Sequence, residues 1–130
     1  MPWLETEFRA RVGPDGRFQG ETEAEAPAGG KLREYKVKTT SGCGGRVHPT
    51  VLIIQREDNL GDKLELHTDL RDCEEHQADI DPPFQIRGGR RYIIRLTSEG
   101  FDPDEEIEGE AAVRYTFFLD ANASFREIKS

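Results

Sequence analysis

Two short segments carry the residue types that most often hold a metal ion or form a disulfide. SGCGGRVH contains Cys43 and His48, and RDCEEH contains Cys73 and His76. C-x4-H and C-x2-H are spacings that zinc sites use, and a Cys2His2 shell suits a closed, tetrahedral, structural Zn2+ ion. Two strand-like segments, VLIIQR and KLELHTDL, lie between the pairs. If they pair as a hairpin, residues just before the first and just after the second reach the same end of a sheet, so all four side chains can meet. That meeting would equally allow a Cys43 to Cys73 disulfide, or four unlinked side chains, and the sequence leaves the three open. No helix carries the second pair, so this is not a zinc-finger pattern. A four-ligand site has no open position, which points to stability and not to catalysis.

A second group of ligand-type residues lies in FDPDEEIEGE, where Asp102, Asp104, Glu106 and Glu108 offer hard oxygen atoms to Ca2+. The order of an EF-hand loop is missing, and a solvated acidic loop accounts for the same residues. Sequence signatures of catalysis are absent: there is no G-x-S-x-G, H-E-x-x-H, P-loop or G-x-G-x-x-G. The serines stand in no context that marks a nucleophile, and no pair of carboxylates is singled out as acid and base. The expectation is a protein that is not an enzyme.

The elements that must position these residues are strands. Leu4, Thr6, Phe8, Ala10 and Val12 alternate with charged residues, as do Phe18, Gly20, Thr22, Ala24 and Ala26 across the GPDG turn. This predicts an N-terminal hairpin or arm over residues 1–26, with Arg9 opposite Glu21, followed by a short PAGG linker at 27–30 and a main body over 31–130. Tyr35, Val37 and Thr39 form the next alternating run. Val51 to Ile54 is apolar at four successive positions, as in a strand covered on both faces. NLGD at 59–62 reads as a turn, after which Leu64, Leu66, Thr68 and Leu70 face inward, leaving His67 outward. Pro82 and Pro83 exclude regular sheet, and a loop at Gly88 to Arg90 predicts a hairpin with Ile86 opposite Tyr92. Arg87, Arg90 and Arg91 then form a basic, solvated turn. Val113, Tyr115, Phe117 and Leu119 close the pattern.

About eight strands at short intervals, with no amphipathic helix, predict a single all-β domain, an antiparallel β-sandwich of jelly-roll-like or Ig-like type. Ile93 and Phe118 break the alternation toward the solvent side, and Phe125 lies in the tail. These three residues are the candidate partner interface, for a protein partner or another copy of the chain.

Composition narrows the partners further. The 130 residues hold 26 acids and 18 bases, a net charge of -8, and the second half alone, residues 66–130, has 15 acids against 8 bases. Such a surface repels phosphate backbones, so nucleic acid is not an expected partner. No run of about 20 apolar residues is present to span a bilayer. The start, MPWLETEFRARV, lacks a basic and then apolar signal, so synthesis in the cytoplasm, with or without a place in a virion, is the expected location.

The strand order from REYKVKT at 33–39 through GGRRYIIRLTSEG to VRYTFFLDA resembles the bacterial pre-peptidase C-terminal domains and related jelly-roll accessory modules. Gly89, Tyr92 and Tyr115 occupy the places of that family's glycine, its aromatic-led strand and its final tyrosine-bearing strand. The resemblance covers about the last 100 residues. It implies a jelly-roll accessory module of a kind that is typically secreted beside an enzyme and often binds Ca2+ or polysaccharide. Together these readings predict a non-catalytic structural or interaction subunit of a larger assembly, such as a capsid decoration or accessory protein. The alternative is a carbohydrate- or calcium-binding jelly-roll module.

Overall fold

A computed structural model describes residues 3–8, 12–39, 45–102 and 113–128. Nine strands form among them: β1 (Trp3–Phe8), β2 (Phe18–Ala28), β3 (Gly30–Thr39), β4 (Val47–Arg56), β5 (Asn59–Arg71), β6 (Glu75–Ile86), β7 (Arg90–Ser98), β8 (Val113–Leu119) and β9 (Ser124–Ile128). They make two antiparallel sheets, ordered β1-β8-β3-β6 and β5-β4-β7-β2-β9, stacked as a sandwich. The expected fold class is therefore present. No helix among the described residues is long and apolar enough to cross a membrane.

Alternation explains the layers. In β8, Val113, Tyr115, Phe117 and Leu119 are buried while Arg114, Thr116 and Phe118 are half-exposed. Leu52 and Ile54 of β4 are likewise buried, and Val51 and Ile53 lie half-covered on the outer side. The strand next to the edge thus carries apolar residues on both faces.

Among the described residues β4 and β5 form the one hairpin, with Val51 opposite His67 and Leu52 opposite Leu66. Its turn is Glu57 and Asp58, not residues 59–62. Arg56 pairs with Asn59 but Gln55 with Lys63, so residues 60–62 bulge from the ladder. Arg56 holds this end together, with Nε 2.6 Å from Asp58 and its terminal nitrogen 3.3 Å from Asp62. The basic turn after β6 is neutralised at the same place, since Arg87 lies 3.7 Å from Asp62 and Arg90 3.2 Å from Asp58.

Each other pair of consecutive strands is divided between the two sheets, and two expected hairpins are corrected by this. The described parts of residues 1–26 do not pair with each other as a hairpin: β1 pairs with β8, while β2 lies between β7 and β9. Glu21 therefore pairs with Arg95 at 3.2 Å, and Arg9 lies outside the described residues. PAGG is no linker either, because Pro27 and Ala28 end β2 and Gly30 begins β3. Ile86 and Tyr92 also belong to opposite sheets. A turn between sheets has the same composition as a hairpin turn and preserves the same inward alternation. The packing decides between them. Phe8 meets Gly20 across the core, where a Cβ on Gly20 would stand 2.6 Å from the Phe8 ring, and Phe84 packs edge-on to Tyr92 at 6.4 Å.

Two tyrosines on the inner side of the first sheet differ in how their hydroxyls are satisfied. Tyr35 shares a 3.0 Å hydrogen bond with Thr68 Oγ1 of β5, which ties the two sheets together. Tyr115, stacked on Phe117 at 5.7 Å, has no hydrogen-bond partner for its hydroxyl among the described residues, and burial pushes its phenol well above its ordinary range. Removing the Tyr35 hydroxyl should cost about 1 kcal/mol, whereas Tyr115→Phe should be neutral or stabilising by up to about 1 kcal/mol. Urea unfolding of both variants checks the order, and a Tyr115→Phe protein less stable than Tyr35→Phe would contradict it.

Candidate functional site

The hairpin brings its two ends together as required, and what meets there is a histidine and an aspartate. Val47 of β4 stands opposite Arg71 of β5, and the Asp72 amide donates to Arg46 O at 3.0 Å. His48 and the Asp72 carboxylate are both fully enclosed. His48 Nε2 bonds Asp72 Oδ1, and His48 Nδ1–H donates to the carbonyl of Glu99 at 2.9 Å. Asp72 Oδ2 accepts from the Arg46 amide at 3.1 Å, with the Arg46 guanidinium 3.6 Å away. Phe101 stacks on the imidazole at 4.2 Å and closes it from solvent. Gly100, at φ +83, lets this segment lie so close, since a Cβ there would stand 2.5 Å from Val47 O.

The electrostatics follow from these contacts. Burial alone would raise the Asp72 carboxyl, but the hydrogen bonds from His48 and from the Arg46 amide outweigh it and hold the group below the usual carboxylate range. Both imidazole nitrogens are engaged, and ring and carboxylate form a sealed polar pin. The pair has the composition of a base and its orienting acid, but no surface on which a reactant could reach it.

The expected four-residue shell is not what this end of the sheet assembles. Neither His48 nitrogen keeps a free lone pair for a metal, because both are engaged. Cys73 is disulfide-bonded, with its backbone in the left-handed region at φ 62. Cys43 lies outside the described residues. His76 is exposed on β6, in the other sheet, with its ring 6.0 Å from Tyr35. Among the described residues no group of three or more metal-ligating side chains forms.

Of the candidate calcium ligands, Asp102 is exposed and accepts a 2.8 Å hydrogen bond from Arg46, while Asp104, Glu106 and Glu108 lie outside the described residues. The three candidate interface residues separate. Phe125 is buried against Tyr92, edge-on at 5.5 Å, because pairing of β9 with β2 turns it into the core. Phe118 points outward, half-covered, with the Lys36 ammonium 5.5 Å from its ring centre. Ile93 also points outward, between Gln55 of β4 and Glu23 of β2. It shares the outer face of the five-stranded sheet with Val51 and Ile53, next to a shallow depression of about 400 Å3 bordered by Glu21 and Arg95.

A second concavity was not expected from the sequence. β5 and β6 are edge strands of opposite sheets, and between them opens a cleft of about 460 Å3. Tyr35, Leu64, Leu66, Ile80 and Phe84 supply its apolar lining, and Lys63, Glu65, His67, Asp79, Asp81 and Gln85 its polar lining. The shape comes from β6. Glu34 pairs with Asp79 but Leu32 with Phe84, so residues 80–83 bow out of the ladder around Pro82 and Pro83. Lys63, at 3.0 Å, and His67, at 3.3 Å, hold the Glu65 carboxylate and lower its pKa, with the Lys63 hydrogen bond the largest cause.

The sequence matches no protein-family model, and no curated protein sequence matches it. Solved structures with a similar fold include a family 35 carbohydrate-binding module from an environmental isolate, at TM-score 0.45 and 8% identity over 91% of this chain and 75% of that one. Another is a carbohydrate-binding module solved with β-1,4-galactotriose, at TM-score 0.40 and 14% identity over 95% and 69%. A third is the structure of infectious bursal disease virus Gx strain, at TM-score 0.32 and 7% identity over 97% of this chain and 37% of that one.

Proposed function

We propose that the chain is a non-catalytic recognition module that serves as a structural or interaction subunit of a larger assembly, the kind of role a capsid decoration or accessory protein performs. The observation that carries this reading is the outer face of the five-stranded sheet. Val51, Ile53 and Ile93 are half-covered there, with Arg95 opposite Ile53 reaching Gln55 at 2.7 Å between Ile53 and Ile93, and Glu21 and Glu23 on the β2 side. Apolar side chains interleaved with both charge signs can pair with the same patch about a twofold axis, which favours a second copy as the occupant. Enclosure of the His48 and Asp72 pair supports the non-catalytic part. Sedimentation across a concentration series should show self-association, and Ile53→Lys or Ile93→Lys should weaken it by roughly tenfold or more. A wild-type protein that stays monomeric at high concentration would remove this reading.

The second reading is a carbohydrate-binding accessory module, favoured by the cleft between β5 and β6. The resemblance to pre-peptidase C-terminal domains fits an accessory role of that type.

A further inference from the structure

We propose that the cleft between β5 and β6 is a binding site for a neutral saccharide, with Asp79 and Asp81 accepting from its hydroxyls and Phe84 and Leu64 meeting its apolar ring face. This deepens the second reading above and rests on it. The volume of about 460 Å3 falls within the usual range of ligand pockets, and the lining joins an apolar floor to a few polar groups. Most surface carboxylates of this chain that face a cation are used: Glu21 meets Arg95, Glu25 meets Arg126 and Glu65 meets Lys63. Asp79 and Asp81 are exposed and their carboxylates, like those of Glu23, Asp69 and Glu75, have no partner among the described residues; what sets these two apart is that they line the cleft.

The chemistry of the lining selects the ligand. Ionised carboxylates accept and do not donate, so the matching ligand is rich in donors. A net charge of -8 disfavours an anion. An added peptide strand is disfavoured as well, because Pro82 and Pro83 remove backbone donors from the β6 edge where the cleft opens. What remains needs hydroxyl donors on its rim and a C–H face for Phe84 and Leu64, which describes a pyranose.

Calorimetric titration of the full chain with neutral oligosaccharides of glucose, galactose, mannose and xylose tests this, with spermine as a cationic control. At least one saccharide should bind. Asp81→Asn and Phe84→Ala should each weaken binding by roughly tenfold or more, whereas Asp69→Asn, on the same strand as Lys63 but outside the cleft, should leave it unchanged. Unfolding curves would establish that the variants fold. Saccharide binding undiminished in both cleft variants would overturn the cleft assignment and leave the carbohydrate reading standing. Failure of the wild type to bind any of the saccharides, with or without spermine binding, would overturn both.

Discussion

His48→Leu is expected to lower stability by about 3–5 kcal/mol, a fall in melting temperature of roughly 10–20 °C for a domain of this size. The imidazole is enclosed and joins Asp72 to the Glu99 carbonyl, so it links β4, the segment after β5 and the segment after β7. Leucine preserves the packing on Phe101 but leaves the enclosed Asp72 carboxylate with only the Arg46 partners. The large cost arises from that stranded charge, since breaking one half of a buried pair is worse than never having formed it. Asp72→Asn keeps a hydrogen-bonding group opposite the ring and should cost less, about 1–2 kcal/mol.

The same pair predicts a pH dependence with a definite sign. The folded-state pKa of Asp72 lies below its unfolded value of about 3.9. Its contribution is therefore complete above that value and is lost as the pH falls through the folded pKa. Wild type should lose stability on the acid side of about pH 4 more steeply than Asp72→Asn, as read from urea midpoints over an acidic series. Parallel curves for the two proteins would contradict the assignment.

The second large effect concerns Cys73. Cys73→Ser should lower stability by about 3–4 kcal/mol, the range expected for opening a loop of about 30 residues. Cys73 is disulfide-bonded, and Cys43 is the one other cysteine in the sequence. Serine retains the left-handed backbone of position 73 with the same strain, so the substitution isolates loss of the bridge. Cys43→Ser should produce an equal loss, the double variant should be no worse than either, and reductant should reproduce the effect in wild type. A Cys43→Ser protein as stable as wild type would show that the bridge from Cys73 does not end there.

Much of the fold was legible because period-2 alternation reports burial directly. Val113 to Leu119 and Leu64 to Leu70 lie as their patterns require, whereas the apolar run Val51 to Ile54 is buried only on its Leu52 and Ile54 side and half-covered on the other. The pairing was less legible. Arg9 with Glu21 and Ile86 with Tyr92 satisfied a hairpin pattern, yet the strands on either side of each turn belong to different sheets. An inward residue can meet its partner either along a ladder or across the core, and alternation is the same in both cases. Phe125 illustrates the same limit: nothing local distinguished a tail residue on the surface from one turned into the core by β9 pairing with β2.

The candidate site was half legible for a similar reason. Spacing brought attention to the correct end of the β4–β5 hairpin, and His48 does meet a residue adjacent to Cys73. The partner is Asp72, which alternation alone did not mark, together with the Glu99 carbonyl, which no side-chain pattern reports. Phe101 and Gly100 lay within a segment read for its acids, so their covering role was missed. For the cleft, Pro82 and Pro83 were the available signal. They announced an interruption of the sheet, but that β5 lies beside β6 across the open edge depended on the pairing of all nine strands.

The central claim is that this sandwich works by recognition at its surface while its one enclosed histidine and aspartate pair serves structure. Amide chemical shifts of the isotope-labelled protein, followed through a protein concentration series and then during titration with the neutral oligosaccharides, test it most directly. Shifts are expected around Val51, Ile53 and Ile93 as the concentration rises and at residues 63–67 and 79–85 as saccharide is added, with little change at His48 and Asp72 and an unaltered saccharide at the end. Shifts converging on His48, Asp72 and Phe101, or conversion of the saccharide into product, would contradict it.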